Sequence, residues 1–179
     1  MTFSGGYVET TDLLPFIVVC DAGPLIHLDE VGCLDLLSDF SRVLVPSTVW
    51  TEVQRHREQA LQNRNVELIR IVPIAPEPPA LEALGVIFSL HVGEWEALRV
   101  ALENPSSVLL TDDTAARLAA GNLGIRTHGT VGILVRSIRR NQRSKQQVLS
   151  ILESLPTVSS LHLKRSLLDS VIQSIQNEG

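Results

Sequence analysis

Apolar and polar positions follow one another in blocks along this chain. "FIVVC", residues 16–20, is a short unbroken apolar run and predicts a fully buried strand. Gly23-Pro24 then opens a helix through Leu25, Ile26 and Leu28, because proline suits a first helical turn. A second short helix is expected over Leu34–Leu37. Val43-Leu44-Val45 predicts a strand stopped by Pro46. Ser47 or Thr48 can cap the next helix, which carries Trp50 and Val53 and runs to about Gln62. Val66–Val72 is a further strand. The proline-rich "PIAPEPPALEALG" that follows predicts a surface connection. A helix opens after Gly93 and lasts to about Glu103. "SVLL" (107–110) is a buried strand, "DDTAARLAAGNLG" a helix with glycine stops, Ile125–Thr127 a brief strand and "GTVGILVRSIRR" a helix. Two more helices are expected over 144–154 and 159–176, separated by Pro156.

Strands alternate with helices through the first 140 residues, which implies an α/β fold with a mostly parallel central sheet flanked by helices. Residues 1–15 form a lead-in, 16–140 the α/β domain, and 141–179 a C-terminal extension with a pair of helices. The length of 179 residues suits that single domain.

The apolar share of 44% is enough for a core, and aromatics at 4% make that core aliphatic. A net charge of −5 excludes a protein coated in basic residues for duplex binding, though a local patch or a bound metal can still supply positive charge. Cys20 and Cys33 are too few for a disulfide framework, and no apolar run approaches a membrane span. The expectation is a reduced, cytoplasmic protein with no membrane partner.

In open α/β sheets, ligands bind beyond the carboxyl ends of the strands. Asp21 stands at such an end, and so do Asp112 and Asp113. Aspartate is also a good helix cap, and for Asp21 alone the two roles are evenly balanced. One cap needs only one aspartate, so the Asp112-Asp113 pair asks for a cation or a basic neighbour. In "GEWEALRVALEN", Glu94 shares the apolar face of Ala97 and Leu98, where an acid is costly unless paired or bound to a cation. Glu96, Arg99 and Glu103 fall on the other side. In "STVWTEVQRHRE", Glu52 falls with Val49 and Val53 on the inner face, or serves as an ordinary surface acid. Carboxylates gathered at the sheet's carboxyl edge suit a hard divalent cation such as Mg²⁺ or Mn²⁺.

"VVCDAGPLIHL", "VLVPSTVWTEV", "GEWEALRVAL" and "LLTDDTAARLAA" together make the chain similar to the PIN-domain nucleases, the group that includes VapC-type toxins. The resemblance covers about residues 16–140. "DAGPLIHL" and "HGTVGILV" look closest to a branch of predicted nucleic-acid-binding PIN proteins with a C-terminal helical pair. The resemblance implies a Rossmann-like PIN domain. It implies that Asp21, Glu52, Glu94 and Asp113 are the catalytic acids, with Thr111 as the threonine of a Thr-x-Asp pattern, free to position a ligand or water. Asp21, Glu94, Asp112 and Asp113 would hold the metal. The family's commonest third acid is aspartate, and here it is Glu94. The implied activity is Mg²⁺- or Mn²⁺-dependent hydrolysis of RNA phosphodiester bonds. By the same resemblance the chain would be an endoribonuclease and the toxin of a toxin–antitoxin pair, a homodimer held by an antitoxin protein. The alternative is a non-catalytic PIN-like module that binds nucleic acid or protein. A phospho-acceptor receiver domain is set aside, because its acid pair comes early and a lysine comes late.

No Ser-His-Asp or Cys-His set stands out, and the five histidines show no zinc spacing, His128 alone lying near a strand end. "RSIRRNQRSK" holds Arg136, Arg139, Arg140, Arg143 and Lys145, which either track an RNA backbone or form a solvated helix end, the second being favoured. Trp50 and Trp95 are expected to pack rather than to stack bases.

Overall fold

The computed structural model describes residues 16–63 and 65–177; the lead-in expected over 1–15 lies outside the described residues. Among the described residues, five strands form one sheet: β1 (Ile17–Cys20), β2 (Arg42–Pro46), β3 (Leu68–Ile71), β4 (Val108–Leu110) and β5 (Arg126–His128). Their order is β3-β2-β1-β4-β5 and every pairing is parallel. The chain therefore winds outward from β1 to β3 and then returns to the other side of β1. That reversal opens a crevice beyond the carboxyl ends of β1 and β4.

Among the described residues, eight α-helices connect and cover the strands: α1 (Ala22–Glu30), α2 (Ser47–Leu61), α3 (Pro79–Phe88), α4 (Val92–Glu103), α5 (Thr114–Asn122), α6 (Thr130–Arg139), α7 (Lys145–Val158) and α8 (Arg165–Asn177). A short 3-10 helix spans Leu34–Asp39. Side chains alternate across a strand, so each central strand feeds two cores. Val18, Cys20, Val43, Val45, Val108 and Leu110 meet Leu25, Leu28, Val53 and Leu134 on one face. Val19, Leu44 and Leu109 meet Leu81, Leu98, Ala101 and Ala120 on the other. Val148, Leu152 and Leu155 of α7, with Leu168 and Ile175 of α8, join the first core.

Three expectations fail. Neither Ser47 nor Thr48 caps α2, whose N-cap is Pro46 with no side-chain hydrogen bond. The stretch expected as a surface connection contains the start of α3, Pro79–Gly85. Proline-rich chain argues for a loop, but Pro79 sits at the first helical turn, where its missing N–H costs nothing. Leu81 is fully buried, a gain of about 1.5–3 kcal/mol. Gly85 lets α3 lie against Trp95, since an added Cβ would come within 2.9 Å of that ring. Pro156 also fails to separate the last helices: α7 runs through it to Val158, and α8 starts only at Arg165. The intervening residues 159–164 are in neither helix, and Glu30 holds them elsewhere.

Candidate metal centre

Asp21 follows β1 directly and caps α1. Its Oδ1 accepts the Ala22 N–H at 2.8 Å, and its Oδ2 accepts the Thr111 hydroxyl at 2.9 Å. The cap and the site role, which are alternatives on paper, fall to one side chain. Thr111 follows β4 and is fully buried. Its Oγ1 also accepts the Asp113 N–H at 3.2 Å, so one hydroxyl ties the ends of the two central strands together. Asp113 then caps α5, with Oδ1 accepting the Ala116 N–H at 2.8 Å. Thr111 thus aligns two acids from beneath.

Glu94 stands in the first turn of α4, and its Oε2 accepts the His91 N–H at 2.8 Å. Glu52 lies on α2. The two helices come close because residue 93 is glycine: a Cβ there would stand 3.3 Å from Glu52 Oε2. Asp21, Glu52, Glu94, Asp112 and Asp113 all open onto one cleft of about 310 Å³, at the crevice between β1 and β4. The structure brings together every acid singled out in the sequence.

Asp112 is held differently from the rest. Its carboxylate accepts the Thr130 N–H at 2.7 Å and the Thr130 hydroxyl at 2.6 Å, and His27 Nδ1 lies 2.8 Å from its Oδ2. Gly129 makes room for it, since a Cβ there would lie 2.6 Å from Asp112 Oδ1. Both oxygens are engaged, which makes Asp112 the anchor of α6 as well as a wall of the cleft. Glu96 also turns inward: it accepts both the N–H and the hydroxyl of Thr48 and so fastens α4 to the start of α2.

The cleft is electrostatically strained. Burial pushes Asp21, only 7% exposed, up to about 6; the bonds from Ala22 and Thr111 oppose this, and the charges of Glu94 and Glu52 add to it. Burial also raises Glu94, with Asp113 and Glu52 contributing. Among the described residues no lysine or arginine forms an ion pair with Asp21, Glu52, Glu94 or Asp113. Hard oxygen donors carrying uncompensated like charge fit Mg²⁺ or Mn²⁺. Among the described residues no three His, Cys, Asp or Glu side chains stand close enough to hold one ion among them. Mg²⁺ usually keeps several waters and takes one or two carboxylates, which such a spacing accommodates.

Three histidines of the cleft were not expected: His27, His91 and His162. His27 lies four residues after Gly23 and so on its helical face, a signal visible in the sequence. His162 arrives from a segment 49 residues beyond Asp113, and nothing local announces it. The basic run near the end of α6 is drawn away from the cleft. Arg136 and Arg140 bond Asp39, and Arg143 takes both oxygens of Asp35 at 2.8 Å. Trp50 and Trp95 pack against the two cores.

Residues 17–177 match the sequence model of a family described as PIN domain. No curated protein and no solved structure matches the chain.

Proposed function

The chain belongs to the PIN-domain family, and on that premise we propose that it is a divalent-metal-dependent endoribonuclease. PIN domains are in general nucleases that use divalent metals. The observation that carries the reading is the buried Asp21, facing Glu94 and Glu52 in one cleft with no basic partner among the described residues. One or two of Asp21, Glu94 and Asp113 would hold Mg²⁺ or Mn²⁺ directly, and the rest through its waters. When bound, the ion supplies a lowered water pKa and neutralises charge developing on the scissile phosphate.

The chain's own residues do the positioning. Thr111 holds Asp21 and Asp113 at a fixed separation through one hydroxyl. Ala22 and Gly23, at the start of α1, line the cleft, where the positive end of that helix favours negative charge. Glu52, the most exposed of the acids, stands at the rim, where it can orient the attacking water or accept its proton. The reading extends, by resemblance, to a toxin that dimerises and is held by an antitoxin; exposed Ile74, Val86 and Ile87 supply apolar surface for such contacts.

One observation favours the second reading, a PIN-like module without catalysis. Glu94 replaces the commoner aspartate and already gives an oxygen to the His91 amide. Calorimetric titration with Mn²⁺, beside an Asp113→Asn variant, separates the two. Saturable binding lost in the variant, followed by Mn²⁺-dependent cutting of a pooled RNA, supports the nuclease. No binding at millimolar Mn²⁺ would sink it.

A further inference from the structure

The extension after residue 140 packs on the core through α7 and α8, but its connecting residues 159–164 cross to the mouth of the acid cleft. Glu30, the last residue of α1, holds them there. Its carboxylate accepts the Ser159 hydroxyl at 2.7 Å, the Ser160 N–H at 2.8 Å and the Ser160 hydroxyl at 2.9 Å. Ser160, Leu161 and His162 thereby become one wall of the cleft.

Beyond that wall the same segment, with α5 and the end of β5, encloses a groove of about 460 Å³. Arg117, His128, His162 and Lys164 line it. It shares Asp112 and His162 with the acid cleft, so the two adjoin. The charge changes sign at that junction. Arg126, Arg136 and Arg139 add to the positive field around His128, which partial burial and these guanidinium groups, with Arg117, hold below the usual imidazole range. Arg117 is itself fixed, donating to the Thr111 carbonyl at 3.2 Å. At Glu52 and His91 the cleft also adjoins a groove of about 560 Å³ carrying Arg55, His56 and Arg70.

A polyanion that presents one phosphate to the acid cleft carries its neighbouring phosphates outward, and each needs a cation. We propose, resting on the hydrolase reading above, that the groove of Arg117, His128, His162 and Lys164 binds the phosphodiester backbone of single-stranded RNA beside the bond to be cut. The 159–164 segment is then part of the substrate site, and Glu30 is a positioning residue for it. With one cationic groove adjoining the acids at Asp112 and another at Glu52, the cut falls inside a strand rather than at its end.

The test uses the full chain carrying Asp113→Asn, which keeps the helix cap and prevents turnover. A fluorescent 12-nucleotide single-stranded RNA of mixed sequence is titrated in Mn²⁺ at several KCl concentrations. Adding Lys164→Glu weakens binding by about tenfold and lowers the salt slope by about 0.7, one phosphate contact. Arg165→Glu, the same charge change one residue outside the groove, leaves binding within about twofold. Glu30→Ala weakens binding like Lys164→Glu, and Glu30→Gln, which keeps an acceptor oxygen, recovers part of it. Equal weakening by Lys164→Glu and Arg165→Glu would reduce the effect to net charge and overturn the groove. Unchanged binding in Lys164→Glu, with the unsubstituted protein still cutting RNA, overturns the groove and leaves the hydrolase standing. Lys164-dependent binding without cutting by the unsubstituted protein supports the groove as an RNA site and retires the hydrolase. No RNA binding at all overturns both.

Discussion

Two charged regions lie on this molecule and are built on opposite principles. At the end of α6, Arg136 and Arg140 share Asp39, Arg143 is bidentate to Asp35, and Arg136 lies over the rings of Phe16 and Phe40. Each carboxylate there faces a guanidinium group. In the acid cleft Asp21, Glu94 and Asp113 face amides, a hydroxyl and one another, while Asp112 meets His27 at 2.8 Å. The first arrangement fastens the 3-10 helix to α6. The second keeps charge that the fold alone does not neutralise, and that is the condition under which an added cation binds.

The largest way to break the contrast is Asp21→Asn. Mn²⁺-dependent RNA cutting is expected to fall by at least about 100-fold, the scale on which removal of preorganised electrostatic groups acts. The metal-free protein is expected to become more stable at pH 7.5, because an ionised carboxyl held at about 6 rather than 3.8 costs on the order of 3 kcal/mol. Activity assays and urea unfolding read the two effects together; a simultaneous loss of stability would contradict the strained cleft. Asp39→Ala is the mirror experiment. It removes the Asp39 carboxylate from Arg136 and Arg140, should cost about 1–2 kcal/mol once partial exposure is allowed for, and should leave the Mn²⁺ isotherm unchanged.

The same difference has a pH signature. Asp21 binds its proton more tightly folded than unfolded, so its penalty is absent below about pH 4. It grows as pH rises and is complete above about 6, so this group makes the metal-free protein less stable across that window. Unfolding midpoints at pH 4.5 and 7.5, compared between the unsubstituted protein and Asp21→Asn, should show that component vanish in the variant. Gly129→Ala is a subtler probe. Its Cβ would press on Asp112, so a loss of about 1–3 kcal/mol is expected in thermal unfolding. The smallest effect belongs to Arg143→Gln, about 0.5–1 kcal/mol in stability and none on metal binding.

Much of the site was legible along the chain because its acids are local signals. Asp21 and Asp113 end apolar strands, and Glu94 interrupts an apolar helical stripe. The strands were legible for the same reason, apart from residues at their ends. α3 was not, because proline's loop signal outweighed the helical spacing of Leu81, Leu84 and Phe88. Nor was the connection between α7 and α8, because Pro156 so near a helix end is tolerated. The partners of the basic run were equally hidden: Asp35 and Asp39 lie about a hundred residues before the arginines they bind.

The sequence by itself determined the order of the strands and of every helix but α3, the two-faced strands and which acids stand at strand tips, since all of these follow from periodicity and neighbours within a turn. Only the tertiary structure decided that β1 and β4 lie side by side, that one Thr111 hydroxyl serves two aspartates, and that Glu30 draws Ser160 and His162 to the cleft. Those contacts join residues some 90 and 130 positions apart. No local pattern encodes such a pairing, because it depends on how the helices pack across both faces of the sheet.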